Sequence, residues 1–261
     1  LTIVFIILKK SMPLVVCTLF IRKQMKKICK ILILTSLLTH SCSMPKTDIT
    51  SPNGKICLSF NIDEEGSISY NVTVENTTFI TDSELGFEAF NNLNLKDNFE
   101  IINTTTSTKD ETWTQIWGEN KIIHCHYNEM AVDMVNDDGI SLTMRFRIFD
   151  DGLGFRYEYK AENADSIIIT DELTTFNING NGMSWSIPAN FETYELLYRT
   201  LPLNDVDNAN TPFTFKTEEG IYASIHEAAL TDFPEMTLFK TDENCNTDFH
   251  INLAPYPDGI K

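Results

Sequence analysis

The chain has 261 residues, 42% of them hydrophobic and 11% aromatic, which is enough to bury a core without disulfide staples and too apolar for a disordered chain. Its 37 acids outnumber its 20 bases for a net charge of −17, and residues 1–42 hold seven of the bases and no acid, so the remainder is more acidic still. A body of that charge repels phosphate backbones, which argues against nucleic acid as a partner.

In chain order, residues 1–24 begin with Leu1 and contain an apolar stretch interrupted by Lys9, Lys10 and Pro13. They precede a better start at Met25 and read as an upstream extension translated by mistake, outside the fold. From Met25 the order is basic (Lys26, Lys27, Lys30), then apolar (Ile31 to Thr39), then His40, Ser41 and Cys42, which is that of a bacterial signal peptide over residues 25–42. The apolar run is too short to span a bilayer. Ser41-Cys42 is similar to a lipobox, with His40 where a small residue is usual. Cys42 is then either a lipid anchor or an incidental residue of a cleaved leader, and both outcomes export the protein. Beyond the leader remain Cys57, Cys125 and Cys245. Three is odd and their spacing matches no zinc site, so they are expected as small buried hydrophobes with at most one bridge.

Past residue 50 the dominant period is two. Ile56, Leu58, Phe60 and Ile62 alternate with polar residues, Asp63-Glu64-Glu65-Gly66 turns, and Ile68, Tyr70, Val72 and Val74 alternate again, which predicts a β-hairpin. A second hairpin is predicted around Asn136-Asp137-Asp138-Gly139, between Val132/Met134 and Leu142/Met144/Phe146/Ile148. Asp150-Asp151-Gly152 leads into Phe155, Tyr157 and Tyr159. Short apolar runs follow at residues 167–169, 213–215, 221–225 and 236–239. With no sustained period of 3.6 and no repeat, the expectation is all-β: a large antiparallel β-sandwich.

Chemical motifs are sparse. Gly152-Leu153-Gly154 lacks the further glycine and the βαβ context of a dinucleotide loop, and no GxSxG elbow occurs. His124 and His126 sit two apart on a predicted strand, so their rings share a face; a solvated pair outweighs a metal site there. His226 and Glu227 are adjacent and face opposite ways on a strand, which disfavours a direct acid/base pair. Trp113, Trp117, Tyr194 and Tyr198 are the right residues to stack on sugar rings, but large aromatics in a sandwich are expected in its core.

Five segments in order carry a resemblance: Asp110-Glu111-Thr112-Trp113, Trp117-Gly118-Glu119, His126-Tyr127-Asn128-Glu129, the run from Phe146 through Asp150-Asp151-Gly152 to Tyr157, and His226-Glu227-Ala228-Ala229-Leu230. With Ser51-Pro52-Asn53-Gly54-Lys55 before them, the region 50–259 resembles the N-terminal domain of glycoside hydrolase family 97. The resemblance implies a galactose-mutarotase-like β-supersandwich packed on a catalytic (β/α)8 barrel. It also implies an exported, periplasmic or outer-membrane enzyme of a Gram-negative bacterium that cleaves α-linked glucosides or galactosides. Glycoside hydrolysis needs two flanking carboxyls, which the family carries on the barrel. A barrel takes about 250 residues and the sequence stops at Lys261, so this chain alone is expected to be inactive, with no catalytic residue of its own.

The resemblance also implies calcium at the active site, with one ligand from this domain on the stretch after the Trp185-Ser186-Ile187-Pro188 strand. The matching acid is Glu195, with Glu192 as its rival. Calcium takes about 6 to 8 oxygen ligands, so one carboxylate is an incomplete site that needs the barrel. Two other readings remain: a free-standing carbohydrate-binding module, which requires an exposed aromatic platform, and an aldose-mutarotase-like enzyme, which requires a His and a Glu converging in a pocket.

Overall fold

The computed structural model describes residues 2–9, 47–90, 93–161, 166–228, 230, 233–241 and 247–255. Cys42, Cys245 and residues 25–42 lie outside them, so the leader and lipid-anchor expectations fall on residues not described.

Among the described residues, nine strands form the main sheet, every neighbouring pair antiparallel. In spatial order they are β15 (Arg199–Pro202), β14 (Gly182–Ser186), β17 (Phe213–Thr217), β18 (Ile221–Ala228), β1 (Thr2–Lys9), β11 (Gly152–Ala161), β10 (Ile140–Phe149), β9 (Ile122–Asn136) and β8 (Phe99–Thr114). A four-stranded sheet of β2 (Asp48–Thr50), β3 (Ile56–Ile62), β4 (Ile68–Val74) and β5 (Thr77–Glu84) lies against its middle. A second four-stranded sheet combines β13 (Thr175–Asn177), β20 (Asp248–Leu253), β19 (Met236–Lys240) and β16 (Asn208–Asn210). A three-stranded sheet of β12 (Ile169–Glu172), β6 (Phe87–Ala89) and β7 (Asn94–Leu95) completes the layers. The protein is an all-β sandwich of antiparallel sheets.

The period-two runs become strands because alternation places every second side chain in the core. On β3 and β10 the buried residues are the alternating apolar ones: Ile56, Leu58 and Phe60 on the first, and Ile140, Leu142, Met144, Phe146 and Ile148 on the second. The sheets meet through aromatic contacts. Phe60 lies 5.7 Å from Phe146 and Tyr70 lies 5.4 Å from Phe155, centroid to centroid, while Phe213 meets Phe249 at 5.1 Å. Each buried ring contributes roughly 1.5–3 kcal/mol. The Tyr70 hydroxyl donates to the carbonyl of Thr175 at 3.0 Å, so its one polar atom is satisfied in the core.

The turn between β3 and β4 depends on Gly66, whose φ is +75°. A Cβ there would lie 2.4 Å from the backbone nitrogen of Phe99, closer than any side chain allows. Asp63 closes the turn by accepting from the amides of Glu65 and Ser67 at 3.0 and 2.7 Å.

Two features depart from the sequence reading. Thr2–Lys9, set apart above with the leader, pairs with β11 on one side and β18 on the other. Cys57 and Cys125 are half-buried rather than fully buried, because both fall on the outward phase of their strands. Burial still pushes the Cys125 thiol up from its ordinary value.

Candidate functional site

The stretch after β14 is held by side chains of β16. Gly182 opens β14 where a Cβ would meet the carbonyl oxygen of Lys216 at 2.0 Å, so glycine lets β14 and β17 approach. Beyond Ile187 and Pro188, Asn208 Oδ1 accepts from the amide of Ala189 at 2.8 Å and Asn210 Oδ1 accepts from that of Asn190 at 3.0 Å. Asn190 in turn caps the next turn, accepting from the amides of Glu192 at 2.7 Å and Thr193 at 3.1 Å. The Tyr194 hydroxyl donates to the carbonyl of Thr211. Residues 187–198 are thus tethered at their base and solvent-facing beyond it: Phe191, Glu192, Tyr194, Glu195, Leu197 and Tyr198 are all exposed.

A carboxylate pair lies behind this loop. Glu227 accepts from the Thr211 hydroxyl through Oε2 and from the Met236 amide at 2.6 Å through Oε1. Burial raises the carboxyl of Glu235, and the charge of Glu227 raises it further. The Tyr194 phenol is also raised, first by burial, then by Tyr198 and the charges of Glu235 and Glu227. Tyr194, Thr211, Glu227 and Glu235 therefore form one interacting group beneath the loop that carries Glu192 and Glu195. Glu235 and the role of Glu227 were not legible in the sequence, because the contacts join the loop after β14, the turn after β16, the end of β18 and the start of β19, 9 to 17 residues apart.

Glu195 stands on the exposed part of the loop, where its carboxylate is open to solvent, and Glu192 stands three residues before it in the same condition. Among the described residues no three His, Cys, Asp or Glu side chains converge to hold an ion. A calcium ligand at Glu195 fits this geometry only as a single donor from one side.

The other expected residues fall elsewhere. His124 and His126 do share a face of β9, with ring centroids 6.0 Å apart, and His124 Nε2 lies 2.6 Å from Asp110 Oδ1 across the β8–β9 pair. The Asp110 carboxyl is lowered, chiefly by that hydrogen bond. His226 Nδ1 contacts the backbone carbonyl of its neighbour Glu227 at 2.7 Å and not the carboxylate, as expected for adjacent strand positions. A groove of about 760 Å³ is lined by Asn61, Asp63, Asn71, Asp82, Glu84 and Lys96 among others and has no histidine on its walls. A converging His and Glu pair, the requirement of the mutarotase reading, is not found there.

The four aromatics expected in the core are instead exposed: Trp113 at 43%, Trp117 at 88%, Tyr194 at 49% and Tyr198 at 71%. Trp113 and Trp117 sit with Ile116 and Ile122 at the tip of the β8–β9 arm. Pairing with β10 ends at Tyr127, so the arm runs on as a two-stranded ribbon with no third strand beside it among the described residues. A partly buried charge ladder crosses the broader end of the sheet. Arg145 donates to Glu158 at 2.8 and 3.1 Å and to Glu129 at 2.9 Å, and Arg147 donates to Glu129 at 2.7 Å. Arg145 first, and then Arg156, which donates to Glu158 at 2.7 Å, pull the Glu158 carboxyl down to about 2.

Comparison with known proteins follows the same outline. Residues 49–255 match the family model described as Glycosyl-hydrolase 97 N-terminal. Two solved structures of a Glycoside Hydrolase Family 97 enzyme from Pseudoalteromonas sp. strain K8, one in complex with panose and one with acarbose, superpose with TM-scores of 0.76. Both are 36% identical, and the match covers 82% of this chain and 32% of theirs. A β-arabinopyranosidase matches at 18% identity with a TM-score of 0.71, covering 80% of this chain and 35% of its own, which is a likeness of fold alone. The chain spans about a third of the length of these relatives.

Proposed function

The chain belongs to glycoside hydrolase family 97 as its N-terminal domain, and we propose that it works as the non-catalytic half of an α-glycosidase, supporting a catalytic (β/α)8 barrel and contributing one ligand to a calcium ion at the barrel's cleft. The observation that carries this reading is the loop 187–198. It is tethered by Asn208, Asn210 and Thr211, and it presents exposed aromatics and the open carboxylate of Glu195 in one stretch. An exposed apolar surface of that kind marks a docking face. Calcium there would supply positive charge next to a glycan hydroxyl; Glu195 would hold it from this domain's side, with carboxylates of the barrel completing the shell. The substrate class is an α-linked glucoside or galactoside; the relatives' structures with panose and acarbose support a glycan ligand. We place the enzyme in the periplasm or at the outer membrane of a Gram-negative bacterium, exported by residues 25–42 and anchored through Cys42 if that thiol is acylated.

The test is reconstitution. The chain by itself should not hydrolyse α-glucosides or α-galactosides, and joining it to the barrel of a family member should give turnover. Turnover by the chain alone, abolished by changing one of its residues, would overturn the reading.

The exposed tryptophans support a second reading, in which the β8–β9 tip binds sugar directly by stacking Trp113 and Trp117 on pyranose rings. Titrating maltooligosaccharides while following tryptophan fluorescence separates the two. Saturable quenching lost in Trp117→Ala supports sugar binding, and an unchanged spectrum leaves the tip as a docking surface.

A further inference from the structure

The main sheet is joined by a strand that the sequence places ahead of a leader. All eight residues of β1 pair with β18, from Thr2 opposite Ala228 to Lys9 opposite Ile221, while Thr2–Ile6 pair with β11 from Arg156 to Gly152. Among the described residues this is the one hydrogen-bonded link between the two halves of the sheet, β8–β11 on one side and β14, β15, β17 and β18 on the other. Without it, two rows of backbone donors and acceptors would face an empty gap. They flank core residues, since Leu153, Phe155, Ala223 and Ile225 are all buried. A backbone group left there without a partner would be cut off from both water and protein, so the gap strongly favours an occupant that pairs with both edges. If residues 25–42 act as the leader that their basic, apolar and small-residue order suggests, processing falls between β1 and β2 and breaks the covalent link between β1 and the body it completes.

We propose that the gap between β11 and β18 is a strand-acceptor site, and that Thr2–Lys9 fills it as an exchangeable donor strand, held by pairing rather than by its covalent link. Affinity comes from main-chain hydrogen bonds on both edges, as in other cases of strand addition, and the strand runs antiparallel to both neighbours. The ligand class is an extended apolar segment of eight residues, uncharged from Ile3 to Leu8. On the β11 edge Gly152 and Gly154 present no side chains, so that edge does not restrict the size of the residues opposite them.

The experiment uses the full chain with a specific protease site introduced between residues 10 and 46. After cleavage, the fragment holding Thr2–Lys9 should remain with the body through gel filtration, and native mass spectrometry should show one fragment per body. An excess of labelled Thr2–Lys9 peptide, carrying a lysine tail for solubility, should displace it. A peptide with Val4→Pro, which lacks one strand amide, should bind at least tenfold more weakly. Loss of the fragment with undiminished amide protection at residues 152–156 and 221–228 would overturn the proposal, as would a fragment that peptide never displaces. In case the cleaved body unfolds, the intact chain carrying Val4→Pro provides a second measurement. Wild-type peptide added in trans should raise its Tm and restore protection on both edges, and no response to peptide would overturn the proposal equally.

Discussion

Thr174 donates its hydroxyl proton to Glu172 Oε1 over 2.8 Å, at a site where Glu172 is only 2% exposed. The chain of contacts continues outward from the threonine. Tyr157 shares a 2.7 Å bond with Thr174 and accepts from the amide of Gly86 at 3.1 Å, which ties β11 to the loop before β6. Glu172 Oε2 has no partner among the described residues. A carboxylate so placed has lost its water, and burial pushes the group up to about 8.

Glu172 is therefore protonated in the folded protein at neutral pH, whereas the unfolded chain holds it near 4.5. Because the folded value is the higher one, the group's contribution to stability is fully present below pH 4.5 and is lost as pH rises through 8. Across that window the loss is on the order of 5 kcal/mol. Glu172→Gln keeps the acceptor for Thr174 and removes the titration. It is expected to match the parent Tm near pH 4.5 and exceed it by several degrees at pH 8. Thermal melts at the two pH values check this, and parallel losses in both proteins would contradict it.

Arg145 gives the opposite dependence. It holds Glu158 well below its ordinary value, at about 2, so this pair stabilises the fold above pH 4.5 and that stability is lost as pH falls through 2. The side chains are partly buried, between the exposed pairs worth under about 1 kcal/mol and the buried ones worth about 3–5 when broken. Arg145→Met should cost roughly 2 kcal/mol in urea unfolding at pH 7, and less at pH 2.5.

Gly66→Ala tests the turn between β3 and β4. The added methyl meets the backbone of Phe99, which cannot move without disturbing the start of β8. With a positive φ as well, the substitution should cost more than about 1 kcal/mol, read from the urea midpoint. The same change at Gly139, which has open space around its Cβ position and a comparable φ, should cost less.

Glu195→Gln tests the calcium assignment in an enzyme that joins this domain to a family 97 barrel. Removing one charged ligand should lower calcium affinity and activity together, with excess calcium restoring part of the activity. Calcium titration by calorimetry is the measurement. Unchanged affinity in Glu195→Gln with loss in Glu192→Gln would move the ligand three residues back.

The strands around Phe60, Tyr70, Phe146 and Phe155 were legible because alternation is a local pattern, and one buried face is enough to impose it. The arm of β8 was not. From Thr104 to Thr112 it carries Thr, Ser, Lys, Asp and Glu with no apolar phase, since both its faces meet water. Family membership was legible from short segments in order, and Glu195 was named through that resemblance, not through its chemistry. Tertiary structure alone decided which groups interact: Glu227 with Thr211 and Met236, Glu172 with Thr174 and Tyr157, and β1 with both β11 and β18. The physical reason is distance along the chain. Side-chain periodicity is set by neighbours one or two residues away, whereas a carboxyl's protonation and a strand's partner depend on atoms that only folding brings near.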